Sequence, residues 1–586
     1  MFQTKKENIV DDINGIKIPD PYRWLENAQD PEVKDWIQQQ NEHMEAVLKN
    51  DTFHTFSNEL ATNLKVSSYS NPIPVFGRYF YTERKPDEDQ AVLYVKDGLK
   101  SEPVELFNPN GKRKGNTVTI DYWVVSYTGA YVAYGISEGG DEMSTIYIKN
   151  TITNQELSEH IIHCRFSSVS WLPDDTGFFY TRNARPGTVP KNEEHLHGKL
   201  FFHKLGTNPD DDEPIFGAGR PKDDMIHVSM SPDGMYVGVQ ASQNWSQNEL
   251  YIFERATNTL KPIVTGVVSK FSVTFLDDKV LLYTDYKANN FRVLWARYED
   301  MYEPVDEWKE LISERPVLLN TFRCTKSKIL VEYLVNVCSE VFIFDHDGRE
   351  IGKIPLPPYS SLAKISSRRN EEEFFYGVES FLFPKIIYRY DLATATYVEC
   401  QRIESPIRPS DYNIRQEWYV SKDGTKVPMF IFYKKGLQLN GSNPTLLYGY
   451  GGFNNNLSPA FMRNWVPWTE RGGVFAVANI RGGGEFGDTW HKGGIKMNKQ
   501  NTFDDFIAAA EYLISQKYTD TSHLGIIGGS NGGLLVAAVG VQRPDLFTAI
   551  CSRVPLTDMV RFPKFGIAVR WMHEYGNPEV PEDLKN

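Results

Sequence analysis

The apolar and polar positions of the chain follow three successive patterns. In residues 1–70 apolar side chains recur at helical intervals, and Asp30-Pro31 is typical of a helix start. Residues 71–405 contain short runs in which apolar residues alternate with polar ones, which indicates strands. Residues 406–586 alternate continuous apolar runs with helical patterns, as a mainly parallel sheet flanked by helices does. We therefore predict a helical segment, an all-β domain and an α/β domain, in that order.

The middle part repeats one unit, a turn-like centre followed by an apolar or aromatic run. A β-sandwich places turns every 8–12 residues or so without a longer period, whereas a four-stranded propeller blade occupies about 40–50 residues. The spacing of the units predicts a seven-bladed β-propeller. The alternative is a set of unrelated hairpins that share Asp-Gly turns. The seven units are centred at Gly77, Gly129, Gly177, Gly234, Asp278, Ser327 and Glu372.

A glycine-rich stretch, "GIIGGSNGGLL" at 525–535, lies between a strand-like run and a helical pattern. It fits G-x-S-x-G around Ser530, and in this context the motif is typical of a nucleophile elbow, a sharp turn that exposes a serine hydroxyl. Glycine-rich turns of this kind also bind phosphates, but the lysine that a P-loop requires does not follow. Ser530 is therefore the candidate nucleophile.

Composition narrows the class of partner and compartment. The net charge of −13 disfavours nucleic acid as the main partner. The sequence contains no stretch of about 18 uncharged apolar residues, so it gives no indication of a membrane span. Five scattered cysteines without a C-x-x-C pair favour a reducing, cytoplasmic compartment. His195 and His197 lack a further ligand cluster, so we interpret them as solvated residues and expect neither a metal nor a cofactor.

Several longer motifs resemble those of the prolyl oligopeptidase family, and the resemblance covers nearly the whole chain. It implies an α/β-hydrolase domain with an inserted seven-bladed β-propeller, and an N-terminal segment that packs on the hydrolase domain. It further implies a monomeric serine endopeptidase that cleaves short peptides after proline. The motifs are "DPYRWLE" (21–27), "YGYGGFN" (448–454), "NIRGGGEFGDTWHKGG" (479–494), "KQNTFDDFIAAAEYL" (499–513), "GGSNGGLL" (528–535), "QRPDLF" (542–547) and the region around Trp571.

The resemblance assigns roles to individual residues. Ser530 would be the nucleophile, and the Asn531 backbone N–H and the Tyr450 hydroxyl would stabilise the oxyanion. A flat apolar slot for the proline ring would be formed by Trp571, Phe453, Leu556 and Tyr575, where Leu556 replaces another aliphatic residue that is common in the family. The alternative for Tyr450 is simple strand packing, and for the four slot residues it is an ordinary core.

The expected catalytic acid and base are missing from the sequence. The only histidine after Ser530 is His573, and the resemblance places the triad Asp and His beyond Asn586. We therefore expect the hydrolase domain to be incomplete at its C-terminal end and activity to need residues beyond 586. A local substitute from His573 with Asp545 or Asp558 is disfavoured, because the family uses this segment as a pocket wall. The alternative function is a non-catalytic, proline-peptide-binding or regulatory homologue, and peptide cyclisation on the same acyl-enzyme also remains open.

Overall fold

The computed structural model describes residues 4–111, 117–405 and 407–585. The N-terminal segment begins with an antiparallel hairpin, which two helices follow. Asp30 caps the first helix, and its side chain accepts a hydrogen bond from the Glu32 N–H. The elements are β1 (Val10–Ile13), β2 (Ile16–Pro19), α1 (Pro31–Leu48) and α2 (Asp51–Leu64).

The N-terminal segment contacts the α/β domain mainly through polar groups. Glu59 of α2 forms an ion pair with Arg471, and the Asn14 side chain donates a hydrogen bond to the Glu579 carbonyl (2.9 Å). Val33 is buried, whereas Met44 and Val47 on the same helix are exposed. Burial of apolar surface therefore contributes little to the docking of these helices.

Seven antiparallel sheets follow, and each is built from consecutive strands. The first strands of neighbouring sheets contact one another and surround a central channel, which makes this a seven-bladed β-propeller, as predicted. Each repeated turn of the sequence leads into the strand that lies second in the order of its sheet, where aromatic and β-branched side chains fill the space between blades.

The strands are as follows: in blade 1, β3 (Ser68–Tyr69), β4 (Ile73–Val75), β5 (Arg78–Arg84), β6 (Val92–Asp97) and β7 (Val104–Phe107); in blade 2, β8 (Val118–Val125), β9 (Tyr131–Glu138), β10 (Thr145–Asn150) and β11 (Gln155–Ile161); in blade 3, β12 (Val169–Trp171), β13 (Gly177–Arg182), β14 (Lys199–Lys204) and β15 (Pro214–Phe216); in blade 4, β16 (Met225–Met230), β17 (Tyr236–Ser242), β18 (Asn248–Glu254) and β19 (Thr259–Val264); in blade 5, β20 (Phe271–Phe275), β21 (Val280–Thr284), β22 (Arg292–Ala296) and β23 (Lys309–Ile312); in blade 6, β24 (Leu318–Cys324), β25 (Lys328–Val335), β26 (Cys338–Asp345) and β27 (Glu350–Ile354); in blade 7, β28 (Ser360–Ser367), β29 (Glu373–Ser380), β30 (Ile386–Asp391) and β31 (Thr396–Arg402).

Side chains, rather than a shared strand, join the first blade to the last in the described part of the ring. The Asn71 side chain donates to the Lys364 carbonyl (2.7 Å), and the Tyr79 hydroxyl donates to the Glu373 carboxylate (2.9 Å). The predicted boundary between residues 405 and 406 falls on Pro406, which lies outside the described residues.

The α/β domain has a six-stranded sheet in the order β32-β33-β35-β34-β36-β37. Its first two strands form an antiparallel hairpin around Asp423-Gly424, and the strand pairs β34-β35, β34-β36 and β36-β37 are parallel. The strands are β32 (Tyr412–Val420), β33 (Lys426–Lys434), β34 (Thr445–Gly449), β35 (Val474–Ala478), β36 (Leu524–Gly529) and β37 (Ala549–Arg553). The helices are α3 (Val466–Glu470), α4 (Asp488–Lys492), α5 (Lys499–Ser515), α6 (Asn531–Gln542), α7 (Met572–Tyr575) and α8 (Pro581–Leu584).

Helices α5 and α6 cover one face of this sheet. Phe506, Leu513 and Val539 are fully buried against its strands. This packing fixes the position of the first turn of α6 relative to the sheet. The strand β37 lies at the sheet edge and all five of its residues are exposed. Within the described ranges, every helix is too short or too polar to cross a bilayer.

Candidate active site

Ser530 occupies the turn between β36 and α6. Its backbone has φ 56° and ψ −121°, in the left-handed half of the map that side chains rarely adopt. The flanking glycines are required by close backbone approaches: a Cβ on Gly528 would lie 2.1 Å from the Gly532 carbonyl, and one on Gly532 would lie 2.7 Å from the Gly449 carbonyl. The turn is therefore a strained elbow. Because it is so sharp, Ser530 is exposed at its tip.

Backbone hydrogen bonds hold Ser530 in this conformation. Its N–H donates to the Arg553 carbonyl of β37 (3.0 Å), and its carbonyl accepts from the N–H groups of Gly533 (2.9 Å) and Leu534 (3.1 Å). The strand edge and the first turn of α6 thus fix the main chain on both sides. The hydroxyl remains as the group that faces the cavity.

Tyr450 and Asn531, the two residues expected from the sequence to stabilise the oxyanion, line the same cavity as Ser530. Asn531 is the first residue of α6, so its N–H has no intrahelical acceptor. Its side-chain amide donates to the Tyr450 carbonyl (2.5 Å) and accepts from the Tyr575 hydroxyl (2.8 Å). Burial raises the pKa of Tyr450, and a hydrogen bond with the Ser530 side chain opposes the rise. The phenol therefore stays protonated and can donate.

All seven residues proposed from the sequence line one cavity of about 490 Å³. Phe453 is the central ring: its edge-on neighbours are Tyr575, with ring centroids 5.7 Å apart, and Trp571 at 6.4 Å. These rings also pack against buried Phe562 and Leu534, so one cluster provides both a small core and the cavity wall. The arrangement offers an apolar slot next to a serine hydroxyl. The lining residues are Trp245, Tyr450, Phe453, Asn454, Asn455, Ser530, Asn531, Val554, Pro555, Leu556, Trp571 and Tyr575.

The propeller contributes a residue to this cavity that the sequence did not indicate. Trp245, in the loop between β17 and β18, packs edge-on against Phe453 with ring centroids 5.1 Å apart. A tryptophan in the polar loop "SQNWSQN" is the available signal, because large aromatic residues in exposed loops are uncommon unless they pack against another element.

A buried histidine and glutamate hold the cavity wall from behind. The Glu574 carboxylate accepts from the Phe453 N–H (2.7 Å), and its second oxygen lies 2.9 Å from His491 Nε2. His491 Nδ1 lies 3.3 Å from the Ser246 hydroxyl of the propeller loop. The two side chains are only 2% and 3% exposed. This linkage joins the loop that carries Trp245 to the loop that carries Phe453.

Lys499 at the start of α5 is a further buried group next to the cavity wall. Its ammonium donates to the Gly451 carbonyl (2.7 Å) on the loop that follows β34. Burial lowers the pKa of Lys499 to about 8, and Glu574 opposes the shift. The group therefore stabilises the loop of Tyr450 and Phe453 at the cost of a desolvated charge.

The local substitute for the missing triad residues is not assembled. His573 lies outside the cavity lining and is exposed as a whole residue, although its ring is partly desolvated. This desolvation and then the nearby Lys496 lower its pKa, while Asp223 opposes them. Asp545 is paired with Arg543 (2.8 Å) on the protein surface. The cavity lining itself contains no imidazole among residues 4–111, 117–405 and 407–585.

The interpretation of His195 and His197 as solvated residues is wrong. Both are half-buried: His197 Nε2 lies 2.8 Å from a Glu193 carboxylate oxygen, and burial lowers the pKa of His195 beside the Gly566 backbone. The loop that carries them packs between blade 3 and the hydrolase domain, which a charged sequence such as "NEEHLHGK" does not reveal.

An elbow serine on a parallel sheet, covered by a propeller, defines an α/β-hydrolase with an inserted β-propeller domain. Residues 3–401 match the model of the prolyl oligopeptidase N-terminal β-propeller domain, and residues 459–585 match the model of the prolyl oligopeptidase family. The chain belongs to the prolyl oligopeptidase family, as its motifs indicated, and it is a member of a peptidase family of the serine type.

Known relatives are similar along nearly the whole chain. A prolyl endopeptidase of Elizabethkingia meningoseptica is 35% identical over 99% of this chain and 82% of its own length. A solved structure from a study of two prolyl endopeptidases superposes with a TM-score of 0.95 at 34% identity, covering 100% of this chain and 86% of that one. Prolyl oligopeptidase B of Galerina marginata, bound to a 35-residue hydrolysis and macrocyclization substrate, has a TM-score of 0.93 at 27% identity, with coverage of 100% and 86%.

Proposed function

We propose that this protein is a serine endopeptidase that hydrolyses short peptides on the carboxyl side of proline through an acyl-enzyme. The observation that carries the proposal is the shared cavity, in which the Ser530 elbow faces the rings of Phe453, Trp571 and Tyr575. A pyrrolidine ring has neither donor nor charge to recognise, so flat apolar walls are the chemistry that suits it.

The chemistry follows from the positions of the polar groups. The Ser530 hydroxyl attacks the carbonyl carbon that follows the proline ring and passes its proton to a base. The oxyanion that forms accepts hydrogen bonds from the Asn531 N–H and the Tyr450 hydroxyl, each of which lowers the barrier by about 3 kcal/mol. The amine leaves with a proton from the same base, and a water molecule then releases the peptide acid from the serine ester.

The base is proposed to come from residues beyond Asn586. The cavity lining in the described ranges lacks an imidazole, and the match to the Elizabethkingia meningoseptica relative covers 82% of that protein. Such a residue needs to reach Ser530 at the exposed edge beside β37, where the sheet is open.

A chimaera tests the proposal. The C-terminal portion of the Elizabethkingia meningoseptica relative that lies beyond the match is joined after Asn586, and turnover of a blocked Gly-Pro reporter is measured. We expect hydrolysis in the chimaera, a loss on the order of 10⁶-fold in kcat for Ser530→Ala, and a loss of about 10²–10³-fold for Tyr450→Phe.

Tyr448→Phe is the matched control, since Tyr448 is half-buried in β34 and lies outside the cavity lining. It should retain nearly full turnover. A chimaera that unfolds cooperatively yet leaves the reporter intact, or equal effects of the two tyrosine variants, contradicts the proposed mechanism.

A second candidate function is binding without catalysis, by a proline-peptide-binding or regulatory homologue. The observation that favours it is again the absence of an imidazole from the described cavity lining. In that case the chain ending at Asn586 binds proline peptides through Trp571, and the chimaera gains no turnover. Cyclisation of the peptide is a variant of the first proposal in which an amine, rather than water, attacks the serine ester.

A further inference from the structure

The propeller has a second cavity, of about 370 Å³, at the mouth of its channel. Its walls come from the C-terminal ends of inner strands, including Val125 of β8, Met230 of β16 and Ser367 of β28. The opposite ends of these strands face the hydrolase domain, as the hydrogen bond from Ser361 of β28 to the Pro459 carbonyl shows. This cavity therefore lies at the far end of the channel from Ser530.

The charged residues that line this cavity are all cationic. They are Arg323, Lys364, Arg368 and Arg369, which come from blades 6 and 7, and no carboxylate is among the lining residues in the described ranges. We call these four side chains the cationic cluster. Clefts lined by one sign of charge focus the field into the cavity and attract ions of the opposite sign.

The three arginines of the cationic cluster donate to neutral groups in place of carboxylates. Arg368 donates to the Val125 carbonyl of blade 2 (2.8 Å), and Arg369 donates to the Met230 carbonyl of blade 4 (2.9 Å) and the Phe275 carbonyl of blade 5 (2.5 Å). Arg323 donates to the carbonyl of Phe322 (2.8 Å). The two arginines after β28 thus reach across the channel to three other blades.

Burial is the main cause of the lowered pKa values of Arg368 and Lys364, and neighbouring positive charge lowers them further. Burial lowers the pKa of Arg368 to about 10, against the effect of the more distant Asp175 and Glu371. Burial, and then the charge of Arg323, lower the pKa of Lys364. None of the four forms an ion pair within 4.0 Å with a carboxylate of the described residues. A site of this kind is stabilised when an anion enters it.

We propose that the far mouth of the propeller channel binds a compact polyvalent oxyanion of the phosphate class, held by Arg323, Lys364, Arg368 and Arg369. Guanidinium groups suit this chemistry, because their planar donors match the spacing of oxygens on phosphorus. At about 30 Å³ per water molecule the cavity has room for roughly twelve waters, which is more than a single phosphate needs. A chain of two or three phosphates fills it better. The bound anion would bridge blades 6 and 7 and, through the two arginines, the blades opposite.

Calorimetric titration of the 586-residue chain with tripolyphosphate, at constant ionic strength, tests the proposal. We expect saturable binding at one site, at least about tenfold weaker binding in Arg323→Gln/Lys364→Gln, and a higher unfolding temperature of the parent chain with tripolyphosphate. Neither substituted side chain donates to another blade, and Lys364→Gln alone provides a milder variant if the double variant unfolds. A parallel titration with adenosine triphosphate separates the sources: equal affinity indicates the phosphate chain alone, and tighter binding indicates a nucleotide.

Lys34→Gln/Lys191→Gln removes the same charge from exposed positions and is the matched control. It should bind tripolyphosphate as the parent chain does. Absent saturation, equal weakening by both double variants, or the same heat from sulfate at equal ionic strength would each overturn the proposal, since all three indicate general screening.

Discussion

Lys499 illustrates how a single residue can stabilise a site and destabilise the fold at once. Its ammonium fixes the loop of Tyr450 through the Gly451 carbonyl, yet the charge is buried. A strained serine at the elbow has the same character, because its conformation is unfavourable by itself and is imposed by neighbouring backbone contacts. Both residues are unfavourable by themselves, so the site can exist only because the surrounding domain is stable enough to offset them.

The depressed pKa of Lys499 predicts a pH dependence of stability. The native pKa is about 8 and the unfolded value 10.5, so between these limits the unfolded state binds more protons, and the free energy of unfolding rises with pH. Relative to Lys499→Met, the parent chain should gain about 3 kcal/mol between pH 8 and pH 10.5. Urea unfolding across this range measures the difference.

Lys191→Met, on an exposed loop, is the control for the loss of a charge. Its profile should run parallel to that of the parent chain. A Lys499→Met profile that is also parallel would mean that the ammonium is solvated in the native state.

At the scale of elements, the approach of α6 to β34 and β37 decides where the nucleophile lies. The start of this helix is so close to the sheet that Gly532 meets the backbone of β34 and Gly533 that of β37. Near the other end of the same helix, a Cβ on Gly540 would meet only the Cδ1 tip of Ile550, a partly exposed side chain.

This contrast predicts that Gly→Ala has opposite effects on the free energy of unfolding at the two ends of α6, at Gly532 and at Gly540. Gly→Ala raises helix propensity by about 1 kcal/mol, which Gly540→Ala can realise by moving Ile550. Gly532→Ala should instead destabilise by about 1–3 kcal/mol, since its Cβ would lie 2.7 Å from the Gly449 carbonyl, which belongs to the sheet. Denaturant unfolding of both variants checks the signs. Equal values for the two would refute the idea that backbone contact sets the position of α6.

Sequence reasoning recovers the elements better than the contacts between them. The repeated turns reveal seven blades because each blade needs the same turn into its second strand, and the elbow is visible because glycine is required there. The start of α5, which spans Lys499–Ser515, is set by a tertiary contact that periodicity does not show, because Lys499 packs under the Gly451 loop. Sequence reasoning missed Trp245, His491 and Glu574. Their roles depend on contacts between the propeller and the α/β domain, and the contacting residues are far apart along the chain.

At the scale of the whole molecule, the propeller is a ring with one weaker junction. Blades 1 and 7 are joined by side chains, whereas other neighbouring blades are joined by continuous chain as well. Asn71 bridges blade 1 to blade 7, and Asn248 bridges blade 4 to blade 5 through both atoms of its amide. The two asparagines are equally buried, at 3% exposure.

Native-state hydrogen exchange should reveal this junction. We expect Asn71→Ala to accelerate amide exchange throughout blades 1 and 7, because the opened ring has no covalent link there to limit separation. Asn248→Ala should cause a local change confined to blades 4 and 5. Faster exchange spread equally around the ring in both variants would show that the junction is as strong as the others.

The polar docking of the N-terminal segment has a consequence for synthesis. The hydrogen bond between Asn14 and the Glu579 carbonyl can form only after the ribosome has added the 565 residues that separate them. At about 5–20 residues per second, the ribosome needs roughly half a minute to two minutes to supply that partner. During this interval the hairpin and two helices are exposed to water beside a growing propeller. Docking buries Val33 of these helices but leaves Met44 and Val47 exposed, so the delay exposes little more apolar surface for premature association than the finished protein does.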